Sequence, residues 1–296
     1  MNVLMVHHDK GIYGGAEEVV RQLADYLDNR WHKVMIVYES NPVVLWGKAQ
    51  QWVRWADVIN VHNFPATLAV CPSDKPIVWM CNEPPELFTN WWRKPIEAFN
   101  RCWARRMKVV VADKFNADRF ESIYKVKPTI IPYGVDYSFW SQGERNENGF
   151  TLLQVGHPEL FDKGIEVFYK VREHIPKARL IQMMGATHEQ IRGMYHTASV
   201  LIHPIGNQGG WLVPFEAMCA GLPVVVSSEF TGADMIRDNG LGCVTKDIAL
   251  SISHETYKVI NTGRVKHWVR DNLTWQRFGE KMVKVFEEAI SERKGH

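Results

Sequence analysis

The chain has 296 residues, of which 46% are hydrophobic and 23% are charged, and its formal net charge is +2. These values fit an ordinary globular protein that is long enough for one large or two medium domains. A net charge this small does not by itself indicate a nucleic-acid or membrane partner. No apolar run in the sequence reaches the roughly 18 residues of a membrane-spanning helix.

The first half of the chain alternates strands and helices. Residues 2–8 form an apolar run typical of a buried strand, residues 16–30 place apolar side chains at helical spacing, and residues 33–39 predict the next strand. This order favours a parallel sheet, because the crossover helix covers one face. Further strands are predicted at four apolar runs, at residues 58–62, 76–81, 108–112 and 129–134.

The second half repeats this alternation after an irregular connection. Residues 141–150 combine glycine, asparagine and charge without periodicity, which is typical of an exposed segment between domains. Strands are then predicted at residues 150–156, 178–185, 199–205 and 223–228, and helices at residues 164–175, 188–198 and 275–292.

Two alternating halves predict an α/β protein with two Rossmann-like domains. We place the N-terminal domain at residues 1–140 and the C-terminal domain at residues 141–274, and we expect the helix within residues 275–296 to pack back toward the N-terminal domain. Ligands of doubly wound sheets bind beyond the carboxyl ends of the strands, so two such domains facing each other would form a binding cleft.

The cysteines and the first residues of the chain indicate the cellular compartment in which the protein is expected. The five cysteines are odd in number and have no CxxC spacing, which argues for a reducing compartment and against a disulfide framework or a zinc site. The first residues lack the long apolar run of a secretory signal. We therefore expect a cytoplasmic protein.

A lone glutamate, Glu216, lies at the predicted start of a helix that follows a glycine pair. Pro214 suits the first turn of this helix, where a missing N–H is harmless. The free N–H groups of Leu212 and Val213 and the helix dipole favour an anion such as a phosphate. An alternative stays open, in which Glu216 only complements the helix dipole and the glycines only turn the chain.

A second loop with phosphate-binding chemistry follows the strand predicted at residues 150–156. It offers His157 and Lys163 just before the next predicted helix, and a lysine there can neutralise a phosphate. The N-terminal glycine segment at residues 11–15 lacks the G-x-G-x-x-G spacing of a dinucleotide site. We therefore predict no nicotinamide cofactor.

Five segments in a fixed order carry a family resemblance, and they are residues 14–27, 131–140, 155–168, 201–228 and 231–236. They resemble the opening glycine loop, the interdomain linker, the phosphate loop, the E-x7-E region and the glycine-rich turn of family-4-type glycosyltransferases, within the glycosyl transferases group 1. The resemblance covers nearly the whole chain. It implies the GT-B fold, with two Rossmann-like domains facing a central cleft, and a retaining enzyme that uses a nucleotide-diphosphate sugar.

The resemblance also implies roles for single residues. Glu216 matches the second glutamate of the E-x7-E region, which binds the donor ribose, and Lys163 matches the lysine that contacts the donor diphosphate. The donor-binding set that the resemblance implies is Gly14, Gly15, Gly156, Lys163, Gly185, Gly209, Gly210, Trp211, Leu212, Val213 and Glu216. It further implies an acceptor site with His62 and Glu83, no metal ion, and no cofactor besides the donor substrate.

Three positions depart from the family pattern. Gln208 stands where the first glutamate of the E-x7-E region is expected, His157 stands where an arginine is usual, and Asn82 lies near the place of a usual histidine. Together with Lys163 they are the candidate catalytic residues. Glutamine can bind a sugar hydroxyl but carries no charge, and histidine, with an ordinary pKa of about 6.5, replaces an arginine only when protonated. An unusual donor and a weakened transferase both stay open.

Residues 91–108 carry six Lys or Arg residues and one glutamate. Drawn as a helix from residue 95, they place Phe99 and Met107 on an apolar face and Arg105 and Lys108 on a basic face. Two interpretations stay open. One is a cationic, aromatic surface for a membrane interface or a nucleic acid, and the other is an ordinary amphipathic helix with its apolar face in the core.

The sequence thus predicts a metal-independent retaining glycosyltransferase that moves a sugar from a UDP- or GDP-sugar to a hydroxyl of a lipid-linked, glycan or nucleic-acid acceptor. The resemblance implies that a β-phosphate oxygen of the donor acts as the base. The main alternative is a non-catalytic nucleotide-sugar or glycan-binding module of the same fold, favoured by the three departures. Peripheral membrane contact through residues 91–108 stays open for the cytoplasmic protein.

Overall fold

The computed structural model describes residues 1–8, 14–62, 66–81, 94–147, 149–156, 161–204 and 211–294. The chain divides into two compact units. The first unit comprises Met1–Gly134 together with Trp275–His296, and the second unit comprises Val135–Thr274. The C-terminal segment therefore belongs to the first unit.

The first unit is built on a six-stranded sheet in which neighbouring strands are parallel. Its strands are β1 (Asn2–His8), β2 (Lys33–Glu39), β3 (Val58–His62), β4 (Ile77–Met80), β5 (Lys108–Val111) and β6 (Thr129–Ile130). Their order across the sheet is β2-β1-β3-β4-β5-β6. The interior strands β1 and β3 are almost entirely buried, as expected for parallel strands covered on both faces.

Strand β6 is shorter than the apolar run predicted at residues 129–134. Its neighbour among the described strands, β5, ends at Val111, whose carbonyl oxygen accepts from the N–H of Ile131 at 2.8 Å. No further backbone of β5 is available beyond that point, so the pairing stops. The length of an edge strand is therefore set by its neighbour as well as by its own sequence.

The helices of the first unit are α1 (Gly15–Asp28), α2 (Pro42–Val53), α3 (Ala66–Ala69), α4 (Lys94–Ala104), α5 (Lys114–Tyr124) and the C-terminal α13 (Trp275–Lys294). Side chains cap two of them, since Asn41 accepts from the N–H of Val43 at 2.9 Å and Asp113 accepts from the N–H of Asn116 at 2.8 Å. Helix α13 packs on α1. No helix in the described part of the chain is both long and apolar enough to cross a membrane.

Helix α4 is shorter than the amphipathic helix predicted from residue 95 onward. A turn closes its end, in which the N–H of Arg106 donates to the carbonyl of Trp103 at 2.8 Å. Met107 lies after this turn and Lys108 begins β5, so neither is on a face of the helix. Phe99 and Trp103 are half-buried against the core, with ring centroids 5.7 Å apart. These two aromatic side chains therefore pack inward, as in an ordinary amphipathic helix.

The second unit is built on a five-stranded parallel sheet. Its strands are β7 (Thr151–Val155), β8 (Arg179–Met183), β9 (Val200–His203), β10 (Val224–Ser227) and β11 (Cys243–Thr245), in the order β11-β10-β9-β7-β8. Its helices are α6 (Tyr137–Trp140), α7 (Phe161–His174), α8 (His188–Thr197), α9 (Leu212–Cys219), α10 (Ala233–Asp238), α11 (Ile248–Ser253), a 3-10 helix (Thr256–Val259) and α12 (Thr262–Asn272).

The division between the units follows Gly134, whereas the sequence placed the boundary after residue 140. The N–H of Val135 donates to the carbonyl of Leu273 at 3.0 Å, within the second unit. The ring of Trp140 in α6 lies 5.5 Å from the ring of Tyr195 in α8. Helix α6 is therefore held by the second unit through contacts that are distant in sequence.

Each unit has its own apolar core. In the first unit Trp79 is fully buried, and its ring centroid lies 5.2 Å from that of Phe120 and 5.9 Å from that of Tyr124. In the second unit the core includes Leu152 and Ile202, which are also fully buried. Each sheet is thus supported by its own packing, and the chemistry of its carboxyl edge can be derived from that unit alone.

Candidate functional site

Each sheet has one topological switch point, where successive strands are added to opposite sides. In the first sheet it lies between β1 and β3, and in the second sheet between β7 and β9. Ligands of doubly wound sheets bind in the crevice beyond the carboxyl ends of the strands at such a point. The residues that follow β1 and β3 are therefore the candidate site residues of the first unit, and those that follow β7 and β9 are the candidate site residues of the second unit.

Two buried histidines lie side by side at the switch point of the first sheet. His7 of β1 pairs in register with His62 of β3, and their rings meet edge to face with centroids 6.0 Å apart. The side-chain amide of Asn60 donates to the carbonyl of Val78, so its oxygen accepts from Nε2–H of His62 at 2.6 Å. Burial, and then the neighbouring His7, lower the pKa of His62 well below its ordinary value. His62 is therefore a neutral, internally bonded side chain.

Glu17 forms hydrogen bonds both with His7, near the end of β1, and with Gly14, which precedes α1. Its Oε1 lies 3.0 Å from Nε2 of His7, and its Oε2 accepts from the N–H of Gly14 at 2.9 Å. Burial raises the pKa of Glu17, but the hydrogen bonds from His7 and from backbone N–H groups outweigh it, so the pKa lies below its ordinary value. The carboxylate is thus ionised and fixes the position of Gly14 at the start of α1.

In the second unit, two glutamines of neighbouring strands hold the start of α7. The side-chain amide of Gln182 donates to Oε1 of Gln154 and to the carbonyl of Phe161, both at 2.8 Å. A Cβ on Gly164 would lie 1.8 Å from Oε1 of Gln154, so a larger residue there would displace the Gln154 side chain from its bond with Gln182. Lys163 is exposed in the first turn of this helix, and its side chain has no hydrogen bond or ion pair with the described residues. It is therefore a cation available to an anionic ligand.

The amino end of α9 follows the loop after β9. The side chain of the N-cap residue Trp211 makes no capping hydrogen bond, so the first N–H groups of the helix, including those of Leu212 and Val213, are suited to an anion. The ring of Trp211 packs on that of Phe215, with centroids 4.5 Å apart. Pro214 lies in the first turn, as the sequence predicts.

The turn after β10 also packs at this end of the sheet. A Cβ on Gly232 would lie 2.7 Å from Cε1 of Phe230 and 3.4 Å from Nε1 of Trp211. The ring of Phe230 meets that of His203, at the end of β9, edge to face with centroids 4.8 Å apart. His203 is fully buried, its nitrogens have no hydrogen-bond partner among the described residues, and burial lowers its pKa to about 4. The side chains of Trp211, Phe230 and His203 thus form an uncharged aromatic surface at this part of the sheet edge.

Glu216 is the fifth residue of α9, at the start of its second turn rather than in its first turn. It is half-buried, and the hydroxyl of Tyr195 lies 3.4 Å from its Oε2 and 3.4 Å from the carbonyl oxygen of Val213. Burial, and then Glu216, raise the pKa of Tyr195 well above its ordinary value, so the phenol keeps its proton. A buried donor therefore orients the carboxylate of Glu216.

The structure describes part of the predicted site. In the first unit it places Gly14 and Gly15 after β1 and His62 at the end of β3. In the second unit it places Gly156 after β7, Lys163 in α7, Gly185 after β8, and Trp211, Leu212, Val213 and Glu216 after β9. Asn82, Glu83, His157, Gln208, Gly209 and Gly210 lie outside the described residues. The roles of all these residues stay predictions.

Sequence reasoning missed the polar side chains that support this edge, which are His7, Glu17, Gln154, Gln182, Tyr195 and His203. Three of them, His7, Gln154 and His203, lie in mostly apolar strands and are fully buried. A polar residue in such a run is a usable signal, because a buried polar group usually has a hydrogen-bond partner, as His7 and Gln154 do. No group of three or more His, Cys, Asp or Glu side chains within the described ranges is placed to hold a metal ion.

Replacing Glu17 by alanine removes the acceptor of the buried His7 Nε2–H. We expect the free energy of unfolding to fall by about 1–3 kcal/mol, because an unsatisfied buried donor loses its solvation without compensation. Urea denaturation measures this fall. The matched control is Glu18→Ala, whose ion pair with Arg21 is solvent-accessible and which should change stability by about 1 kcal/mol or less.

The Glu17→Gln variant tests whether the negative charge of Glu17 contributes to the stability of the folded chain. Because the pKa of Glu17 is lowered in the folded chain, its carboxylate contributes stability that is fully present above the ordinary carboxyl pKa of about 4.3 and is lost as the pH falls through the folded value. The stability difference between wild type and Glu17→Gln should therefore shrink in acid. A difference that grows in acid would contradict the stabilising role of the ionised Glu17 carboxylate.

The comparisons with known proteins agree with this geometry. Residues 140–262 match a family model described as glycosyl transferases group 1. Among solved structures, a glycosyltransferase from Rickettsia africae ESF-5 matches at a TM-score of 0.72 and 14% identity, over 98% of each chain. A sucrose-phosphate synthase from Thermosynechococcus elongatus matches at 0.74 and 13% identity, over 98% of this chain and 99% of the other.

A third structure was solved with a nucleotide sugar. HepE from Anabaena in complex with UDP-glucose matches at a TM-score of 0.70 and 13% identity, over 97% of this chain and 100% of the other. No curated protein sequence matches the chain. The predicted fold class is confirmed: the chain has the GT-B fold, and its residues 140–262 match the model of the glycosyl transferases group 1.

Proposed function

We propose that the protein is a retaining glycosyltransferase that moves a sugar from a UDP- or GDP-sugar to an acceptor hydroxyl. One observation carries the proposal. Within the segment that matches the glycosyl transferases group 1, the helix with Lys163 and the helix with Glu216 follow the two strands of the switch point, β7 and β9. A free cation, an amino end suited to anions and an oriented carboxylate are the groups that a nucleotide diphosphate requires.

The donor would be held by three kinds of contact. The N–H groups at the start of α9, near Leu212 and Val213, and the helix dipole would bind the phosphates. Lys163 would neutralise part of their charge, and Glu216 would accept hydrogen bonds from the ribose hydroxyls. The structures of HepE with UDP and with UDP-glucose make uridine nucleotides the first donors to test.

The reaction would form a bond between the acceptor oxygen and the anomeric carbon and break the bond from that carbon to the β-phosphate oxygen. The proton of the acceptor hydroxyl would pass to a β-phosphate oxygen of the donor, as the family resemblance implies. Lys163 and the N–H groups of α9 would stabilise the diphosphate as negative charge develops on it. Metal independence and the acceptor role of Glu83 are part of this proposal, whereas the buried and internally bonded His62 would only support the acceptor site from within the sheet.

Calorimetric titration with UDP tests the donor site. Glu216→Ala should weaken UDP binding by about 10- to 100-fold, because hydrogen bonds to a charged group contribute about 1.5–3 kcal/mol each. Tyr195→Phe should weaken it by a smaller factor, since the carboxylate stays but loses its orienting donor. Glu173→Ala, at an exposed position of α7, is the control and should bind UDP like wild type. Equal UDP affinity in Glu216→Ala would contradict the assignment.

Lys163 is tested through release of nucleoside diphosphate from UDP-glucose, with water as acceptor where no better one is known. Lys163→Ala should lower the turnover number by about 100-fold, as the loss of one group that stabilises developing charge does in other enzymes. Lys170→Ala is the matched control, because Lys170 is exposed two turns later on the same helix. Equal losses in both variants would assign the effect to net charge rather than to the site.

The non-catalytic binding module remains the second candidate, because Gln208, His157 and Asn82 depart from the family pattern. The Gln208→Glu variant separates the two candidates. A transferase should release UDP faster once the family carboxylate is restored. A protein that binds UDP but releases none from UDP-glucose, both as wild type and as Gln208→Glu, would be the binding module.

A further inference from the structure

A cationic groove lies in the first unit, at the sheet edge opposite the switch point. Its volume is about 580 Å³, and it is lined by residues before and at the amino ends of β4 and β5 and by the last turns of α13. Its cations are Lys75, Arg105, Arg106, Lys108 and Arg293, and its one carboxylate is Glu292. We call it the amino-edge groove.

The groove concentrates positive charge. Five cations and one carboxylate give it a formal charge larger than the +2 of the whole chain, so the rest of the chain is net negative. Like charges brought together in one concave surface repel one another, and the low-dielectric walls strengthen the field that they produce. An anion bound in the groove would relieve this repulsion.

Only part of this charge is compensated within the protein. Lys108 forms an ion pair with Glu292, and Nε of Arg293 donates to the carbonyl of Asp74 at 2.9 Å. Both contacts are explained by the packing of α13 against the sheet. They leave three cations of the groove to account for.

The other three cations have no anionic partner in the described part of the chain. Lys75 and Arg105 make no side-chain hydrogen bond or ion pair there. The guanidinium of Arg106 lies over the ring of Trp103, with its central carbon 5.3 Å from the ring centroid. Stacking of this kind orients the planar group while its N–H donors remain available.

We propose that the amino-edge groove binds a phosphate-bearing ligand. Arginine donors in a fixed plane match the oxygens of a phosphate, and a neighbouring lysine adds a point charge. The stacked Arg106, together with Arg105 and Lys75, suits a diphosphate or two adjacent phosphate groups. The groove lies in the first unit, whereas the Lys163 and Glu216 side chains that carry the proposed donor site lie in the second unit, so this proposal does not rest on the proposed function.

Two probes distinguish a soluble phosphate from a lipid headgroup, and both use the full chain. Pyrophosphate is titrated by calorimetry, and binding to vesicles is measured by co-sedimentation with phosphatidylcholine alone or with added phosphatidylglycerol. The test variant is Lys75→Glu/Arg105→Glu, which breaks no ion pair among the described residues. The control is Lys170→Glu/Lys177→Glu, which makes the same change of charge at exposed positions of the second unit.

We expect the test variant to lose about tenfold or more in affinity for one probe, equivalent to about 1.4 kcal/mol, while the control keeps it. Loss of pyrophosphate binding would identify a soluble phosphate ligand, and loss confined to phosphatidylglycerol vesicles would identify headgroup phosphates. Pyrophosphate binding that survives in the test variant would belong to another site. Unchanged binding of both probes, or an equal loss in the control, would overturn the proposal. Circular dichroism confirms that both variants are folded.

Discussion

Parallel pairing in both sheets is the constraint on which the rest of this molecule depends. Every ladder between neighbouring strands is parallel, so the chain must cross back after each strand and all carboxyl ends of a sheet lie on one edge. The glycine segment before α1, the lysine of α7 and the amino end of α9 are thereby brought to the switch points of their sheets. The chemistry of the proposed reaction follows from this arrangement.

Two polar pairs, each with one fully buried member, then fix where α1 and α7 begin. Glu17 bonds His7 and the N–H of Gly14, and Gln182 bonds Gln154 and the carbonyl of Phe161. A buried polar group without its partner costs about 1–3 kcal/mol. Each pair therefore makes alternative positions of its helix unfavourable, and in both cases the segment so held is one that the donor is proposed to approach.

The two edges of the first sheet differ in electrostatics. At the carboxyl edge, His62 is buried and neutral and the charge of Glu17 is matched by hydrogen bonds. At the amino edge, Lys75, Arg105 and Arg106 are uncompensated within the described part of the chain. A neutral, bonded edge suits exact positioning of a polar substrate, whereas an excess of exposed cations suits attraction of an anion over a longer range.

The sequence by itself determined the α/β alternation, the bounds of β1, β2 and β3, and the placement of Glu216 on a helix after a strand, because apolar periodicity, glycine and proline act over a few residues. It placed Lys163 just before a helix, whereas α7 begins at Phe161 and includes it. Only the tertiary structure decided the short β6, the early end of α4, the division after Gly134, and the pairing of Tyr195 with Glu216. These depend on contacts between residues distant in sequence, such as Trp140 with Tyr195. Local spacing cannot encode such contacts, because strand order and register bring the partners together.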